Sequence, residues 1–132
     1  MQPIASEQIP TDKDWVFEVK YDGFRAVLVW DKRNISLISR NGTNLTMQFP
    51  DIITYCIEKQ HLIEDLLPLT CDGEIVILNT ALQANFSLLQ KRGRLKTKET
   101  IDKAAARRPA HFLAFDLIKI AGKDLKSKTF ND

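Results

Sequence analysis

Cysteine is scarce in this chain. Cys56 and Cys71 are the only two in 132 residues, too few for a disulfide scaffold or a Cys-rich zinc site. Histidine is as scarce, and His61 and His111 are too isolated to suggest a metal site, so both are read as structural. No apolar run approaches the roughly 20 residues of a membrane span. Met1 to Lys20 contains no apolar h-region of a signal peptide. These absences lead us to expect a cytoplasmic protein without a membrane partner, with both thiols reduced, buried and inert. Repeats, low-complexity tracts and linkers are absent too. Apolar residues at 44% and charged residues at 27% fit one soluble globular domain.

Net charge is only +2, but it is unevenly spread. Residues 1–90 carry 7 Lys/Arg against 12 Asp/Glu, a net −5, and residues 91–132 carry 12 against 5, a net +7. The basic part opens with Lys91, Arg92, Arg94, Lys96 and Lys98. Such a cluster suits a polyanion such as nucleic acid. The plainer alternative is a solvated, lysine-rich helix end.

Met1 to Asp14 reads as a polar lead-in. Trp15 to Asp22 alternates, with Trp15, Phe17, Val19 and Tyr21 on one face and Glu18, Lys20 and Asp22 on the other, which predicts a strand broken by Gly23. Arg25–Asp31 and Asn34–Arg40 predict two more strands around a Lys32-Arg33 turn, followed by a turn at Asn41-Gly42. Phe49, Ile52, Ile53, Cys56 and Ile57 form the apolar stripe of a helix through about Lys59, with Pro50 in its first turn. Leu69–Leu78 predicts a buried strand. Phe86–Arg92 predicts a short helix capped by Asn85. Thr97 or Thr100 opens a helix that ends before Pro109. Ala110–Ile120 predicts an apolar strand leading to a turn at Gly122-Lys123-Asp124. Strands toward both ends with helices among them imply an α+β fold with mainly antiparallel sheet. Trp30 is expected in the core or beneath a loop.

Several strings carry chemistry. Lys20-Tyr21-Asp22-Gly23-Phe24-Arg25 fits K-x-D-G-x-R, with Lys20 beside Glu18 and Asp22 on one strand face. The bland reading is an exposed ion pair worth about 0–1 kcal/mol; the functional one is a positioned nucleophile. A free lysine is neutral in only about one molecule in 2,500 at pH 7, so an attacking lysine must lose its proton within its site. Neighbouring cations such as Arg25 or a metal ion favour that loss, and carboxylates alone oppose it. Ser39-Arg40-Asn41-Gly42 puts Arg40 at a strand end, either in an ordinary hairpin or facing a phosphate. Asp72-Gly73-Glu74 sets two carboxylates on one face of a strand whose continuation, Ile75 to Leu78, is apolar. Burial there calls for compensation by a sugar hydroxyl or a metal ion, unless the segment is an exposed bulge. Phe115 is either a core residue or a platform for a nucleobase.

Taken together, Lys20–Arg25, Ser39–Gly42, Asp72–Val76 and Phe115-Asp116-Leu117 resemble, in order and rough spacing, the motifs of ATP-dependent DNA ligases, a branch of the covalent nucleotidyltransferases. Glu18-Val19-Lys20-Tyr21 and Gln90–Arg94 look most like the ligase module of bacterial non-homologous end-joining ligases of the LigD type. The resemblance implies an antiparallel-sheet-rich nucleotidyltransferase (ATP-grasp-like ligase) fold. It implies that Lys20 attacks the α-phosphate of ATP, holds AMP, and passes it to a DNA 5′-phosphate for nick sealing. It places Arg25 and Glu74 on the ribose, Glu74 also at a Mg2+ or Mn2+ ion, Phe115 under adenine and Glu18 at the adenine edge. Asp22 and Gly23 would shape the nucleophile loop, and Arg40 would touch a nucleic-acid phosphate. Lys91, Arg92 and Arg94 then become a plausible track for the DNA backbone. Implied partners are nicked or broken double-stranded DNA, near the nucleoid, and a Ku-type end-binding protein.

The family pattern runs past Asp132. No later E-G-[LIV]-[LIV]-x-K strand, final K-x-K strand or OB-fold domain is found, so residues 1–132 are expected to be a partial adenylation domain. Unpaired strand edges, self-association and weak or absent sealing by the isolated chain are expected with it. Two other readings stay open: an RNA ligase or capping-type nucleotidyltransferase, and a non-catalytic module that binds nucleotide or nucleic acid.

Overall fold

The computed structural model describes residues Lys20–Leu125. Glu18 and most of the strand expected over Trp15–Asp22 lie outside them. The described end of that stretch, Lys20–Asp22, has no regular secondary structure. The strands are β1 (Phe24–Trp30), β2 (Ile35–Ser39), β3 (Leu69–Thr80), β4 (Gln83–Ala84), β5 (Ala110–Ile120) and β6 (Lys123–Asp124). The helices are α1 (Pro50–Lys59), α2 (Phe86–Gly93) and α3 (Lys98–Arg107), with single 3-10 turns at Thr46–Gln48, Gln60–Leu62 and Glu64–Leu66. Among the described residues no helix is long and apolar enough to cross a membrane.

The sheet has the order β2-β1-β3-β5-β6, with β4 on the end of β3, and every pairing is antiparallel. This is the expected α+β architecture. In β1 every second residue turns inward: Ala26, Leu28 and Trp30 are buried. The Trp30 indole also donates to Gln60 Oε1 at 3.1 Å. β3 is long because Ile75, Val76 and Ile77 are buried in succession, as the centre of a sheet covered on both faces requires. Its pairing with β5 slips between Asp72 and Gly73. A Cβ on Gly73 would sit 2.5 Å from the Leu113 carbonyl oxygen and 2.7 Å from Phe112 Cζ, so only glycine admits that close approach.

Phe49, Ile52 and Cys56 point into the core, and Pro50 takes the first helical position of α1. Ile57, read as the end of the same stripe, is 62% exposed. It lies at the margin of the apolar arc, next to where the helix tightens into a 3-10 turn. Burial raises the Cys56 thiol to about 11 and pushes Cys71 upward too, so both are poor nucleophiles. The Asn85 side chain accepts from Leu88 N–H, and Thr97 accepts from Thr100 N–H. These are the caps that start α2 and α3. β5 runs over the expected Ala110–Ile120, but the turn after it is Ala121-Gly122, and Lys123-Asp124 return as β6. β5 is less buried than its apolar sequence suggests. Phe115 and Leu117 are exposed, and β6 pairs with its outer edge only at Lys119 and Ile120.

Candidate nucleotide and nucleic-acid site

The β1–β3 register sets Arg25 opposite Glu74, so two residues 49 positions apart in sequence meet on neighbouring strands. The Arg25 guanidinium turns to Asp72, with Nε donating to Oδ1 at 3.2 Å and Nη2 to Oδ2 at 2.7 Å. It also lies over the Phe115 ring, 5.2 Å from its centroid, within cation–π range. The hydrogen bonds to Asp72, then its charge, hold the Arg25 pKa above the ordinary value, so this arginine is fixed as a cation.

Glu74 is half-buried, and its Oε2 is buried without a hydrogen-bond partner. Desolvation raises its pKa, Arg25 partly offsets that, and the charges of Asp72 and Asp22 add to the rise. Lys20 is also near enough to act on Glu74, in the lowering sense. Gly23 makes this proximity possible. A Cβ there would collide with the Ile75 carbonyl oxygen, and would lie 2.8 Å from Val76 Cγ1 and 3.1 Å from Glu74 Oε2. With only hydrogen at that position, the chain passes hard against β3 and brings exposed Lys20 and Asp22 to the edge of the carboxylate pair. The Tyr21 hydroxyl donates to the Ala81 carbonyl at 2.8 Å and anchors the loop to the turn after β3. Sequence reasoning missed this tie, because alternation alone assigns Tyr21 to the apolar face.

Arg40 follows β2. Its N–H donates to the Arg25 carbonyl at 3.2 Å, and the turn closes with Gly42 N–H on Ser39 O at 2.9 Å. Across from it, α2 is seated by Phe86, whose ring meets Phe24 edge-on at 5.9 Å. Between them lies an open groove of about 500 Å3, lined by Arg25, Arg40, Asn41, Gln90 and Arg94 among others. Arg40 and Arg94, far apart in sequence, thus face one space.

The basic cluster does not act as one surface. Arg94 joins the groove just described, and Lys91 lines a different cleft, between α2 and α3. Arg92, expected on a DNA track, is 2% exposed. It donates from Nη1 and Nη2 to the two carboxylate oxygens of Asp51 at 3.0 and 3.1 Å, and from Nη2 to the Arg108 carbonyl at 2.8 Å. The expectation for Arg92 is therefore corrected. It follows Leu89 by three positions, so it shares that buried residue's helix face and points inward. Among the described residues, no three His, Cys, Asp or Glu side chains converge on a metal position.

Residues 4–132 match the family described as the ATP dependent DNA ligase domain. The bifunctional non-homologous end joining protein LigD of Bacillus subtilis is 42% identical over 132 residues, covering all of this chain and 22% of that protein. DNA ligase C of Mycobacterium tuberculosis is 33% identical over 126 residues, which are 94% of this chain and 32% of that protein. Among solved structures, mycobacterial DNA ligase D complexed with ATP and MES superposes with a TM-score of 0.54 at 29% identity, over 81% of this chain and 30% of that one. The chain thus spans between about a fifth and a third of these three relatives. By the motifs that converge on Glu74 and by these similarities, the chain belongs to the ATP-dependent DNA ligase domain family.

Proposed function

We propose that this chain carries the nucleotide-binding and adenylyl-transfer site of an ATP-dependent DNA ligase that acts in end joining. The observation that supports this most is the unsatisfied Oε2 of Glu74 beside Lys20, Asp22 and Arg25. A buried carboxylate oxygen without a partner is costly, and a ribose hydroxyl would satisfy it. In this reading Lys20 Nζ loses a proton and attacks the α-phosphate of ATP. The new P–N bond forms as the P–O bond to pyrophosphate breaks. Arg25 and Glu74 orient the ribose, Phe115 offers its exposed face to adenine, and Asp22 and Gly23 set the loop. AMP then passes to a DNA 5′-phosphate, and a 3′-hydroxyl displaces it to seal the strand.

A divalent ion, Mg2+ or Mn2+, would be held here mainly through the nucleotide phosphates, with Glu74 as the proposed protein ligand. It would supply charge neutralisation at the phosphates. Arg40 and Arg94 are the residues proposed to meet DNA phosphates. A Ku-type end-binding partner and a nucleoid setting are carried over from the relatives' role in end joining. Self-association is proposed on a separate ground: the outer edge of β5 exposes Phe115 and Leu117 beside ladder groups that are unpaired among the described residues. Light scattering after size-exclusion chromatography tests it.

Incubation with radiolabelled ATP and magnesium tests the main reading. Label should attach to the chain and vanish in Lys20→Ala. Labelling by GTP instead would favour the capping-type reading. Salt-dependent DNA binding with no label would favour the non-catalytic one.

A further inference from the structure

On α2, Gln90 faces the Arg40 groove, while Leu88 and Lys91 point to the opposite side of the helix. There a second cleft of about 350 Å3 opens between α2 and α3. Its floor is apolar, built from Leu88, Leu95 and Ala104, and its rim carries Lys91, Lys103 and Arg107. No Asp or Glu lines it. The carboxylates of α3 are engaged along their own helix, Asp102 with Lys98 at 2.7 Å and Glu99 with Lys103 at 3.1 Å. Two more arginines border the cleft but are already engaged within the chain. Arg92 is sealed on Asp51, and Arg108 donates to the Leu78 carbonyl and to Asn79 Oδ1. Lys91 and Arg107 have no ion-pair partner among the described residues.

We propose that this cleft docks an acidic segment of a partner protein. One bulky apolar side chain of the segment sits on Leu88, Leu95 and Ala104, and flanking carboxylates meet Lys91 and Arg107. The apolar floor decides between protein and nucleic acid. A phosphodiester backbone is charged throughout and gains nothing from an aliphatic floor that offers no donor, whereas an apolar anchor ringed by charge is the ordinary anatomy of a protein contact. The rim cations Lys91, Lys103 and Arg107, with no carboxylate lining the cleft, add attraction for an acidic partner. The proposal rests on this geometry and stands apart from the ligase reading.

Fluorescence anisotropy on the full chain tests it, with a fluorescein-labelled DEDFLEDE peptide and a DEDSSEDE control. DEDFLEDE should bind, and the control should bind at least about tenfold more weakly, or 1.4 kcal/mol. Lys91→Glu with Arg107→Glu should weaken DEDFLEDE by a similar factor while leaving the thermal unfolding transition in place. Ala104→Glu, which puts a carboxylate on the floor, should do the same. No binding of DEDFLEDE at about 1 mM overturns the proposal. Equal affinity for the two peptides overturns it as well, since charge alone then explains the binding. Displacement of the peptide by short duplex DNA, with DNA affinity lost in the same variants, would assign the cleft to nucleic acid instead.

Discussion

Asp51, in the first turn of α1, holds Arg92 of α2 with both carboxylate oxygens, at 3.0 and 3.1 Å. The same carboxylate accepts the Ala110 N–H at 2.6 Å, and the guanidinium also reaches the Gln48 and Arg108 carbonyls and lies 5.6 Å from the Phe49 ring centroid. One ion pair thus joins α1, α2, the end of α3 and the start of β5. Breaking a buried pair on one side leaves an uncompensated charge, at a cost of about 3–5 kcal/mol. Arg92→Ala and Asp51→Ala should each lower stability by that amount in urea unfolding. A loss below about 1 kcal/mol in both would show that the pair is not a structural brace.

This pair also marks the limit of what could be read in advance. Element positions were legible because they depend on local signals. Asn85 and Thr97 announce helix starts, Pro50 fits a first turn, and β5 keeps its expected span. The motif residues were legible because their types are costly where they stand: Asp72, Gly73 and Glu74 interrupt an apolar strand. Arg92 was misread because a run of five basic residues within eight reads as a single surface. Its helical phase with Leu89 was the available signal. The Arg25–Asp72 bond was hidden for another reason. It depends on strand register, which no local pattern over Phe24–Trp30 specifies.

Glu74 should show a trade between stability and activity. Its pKa is raised in the fold, chiefly by desolvation. The folded state therefore binds the proton more tightly than the unfolded one. Stability falls as pH rises from the ordinary glutamate range through the folded pKa, and stays lower above it. Glu74→Gln removes that dependence and should raise stability near pH 7, by no more than about 1 kcal/mol. The same change should cut self-adenylation about 10- to 100-fold, the worth of one charge-assisted hydrogen bond. Urea titrations across pH 4–7, alongside ATP labelling, read both effects. A variant less stable than the parent at pH 7 would contradict the burial argument.

Gly23 tests the placement of the loop proposed to carry the nucleophile. An alanine Cβ would drive against the Ile75 carbonyl and Val76. Backbone and a core side chain cannot yield cheaply, so overpacking should cost about 1–3 kcal/mol. Because the loop must then lift away from β3, Gly23→Ala should lose labelling at Lys20 even where circular dichroism shows a folded chain. Parent-like labelling would mean that the close approach is dispensable.

The division of the basic cluster gives a contrast within one helix and its exit. Arg94 and Arg40 open onto the groove next to Arg25, whereas Arg92 is enclosed. If each outward arginine neutralises one DNA phosphate, its removal should lower the slope of log K against log salt by about 0.9. Arg40→Ala and Arg94→Ala should each show that change on nicked duplex DNA, and the double variant should show about twice as much. Arg92→Met, which fills the buried position without a charge, should leave the slope where it was once its folded fraction is accounted for. A lower slope in Arg92→Met, or an unchanged one in Arg94→Ala, would reverse the assignment of inward and outward arginines.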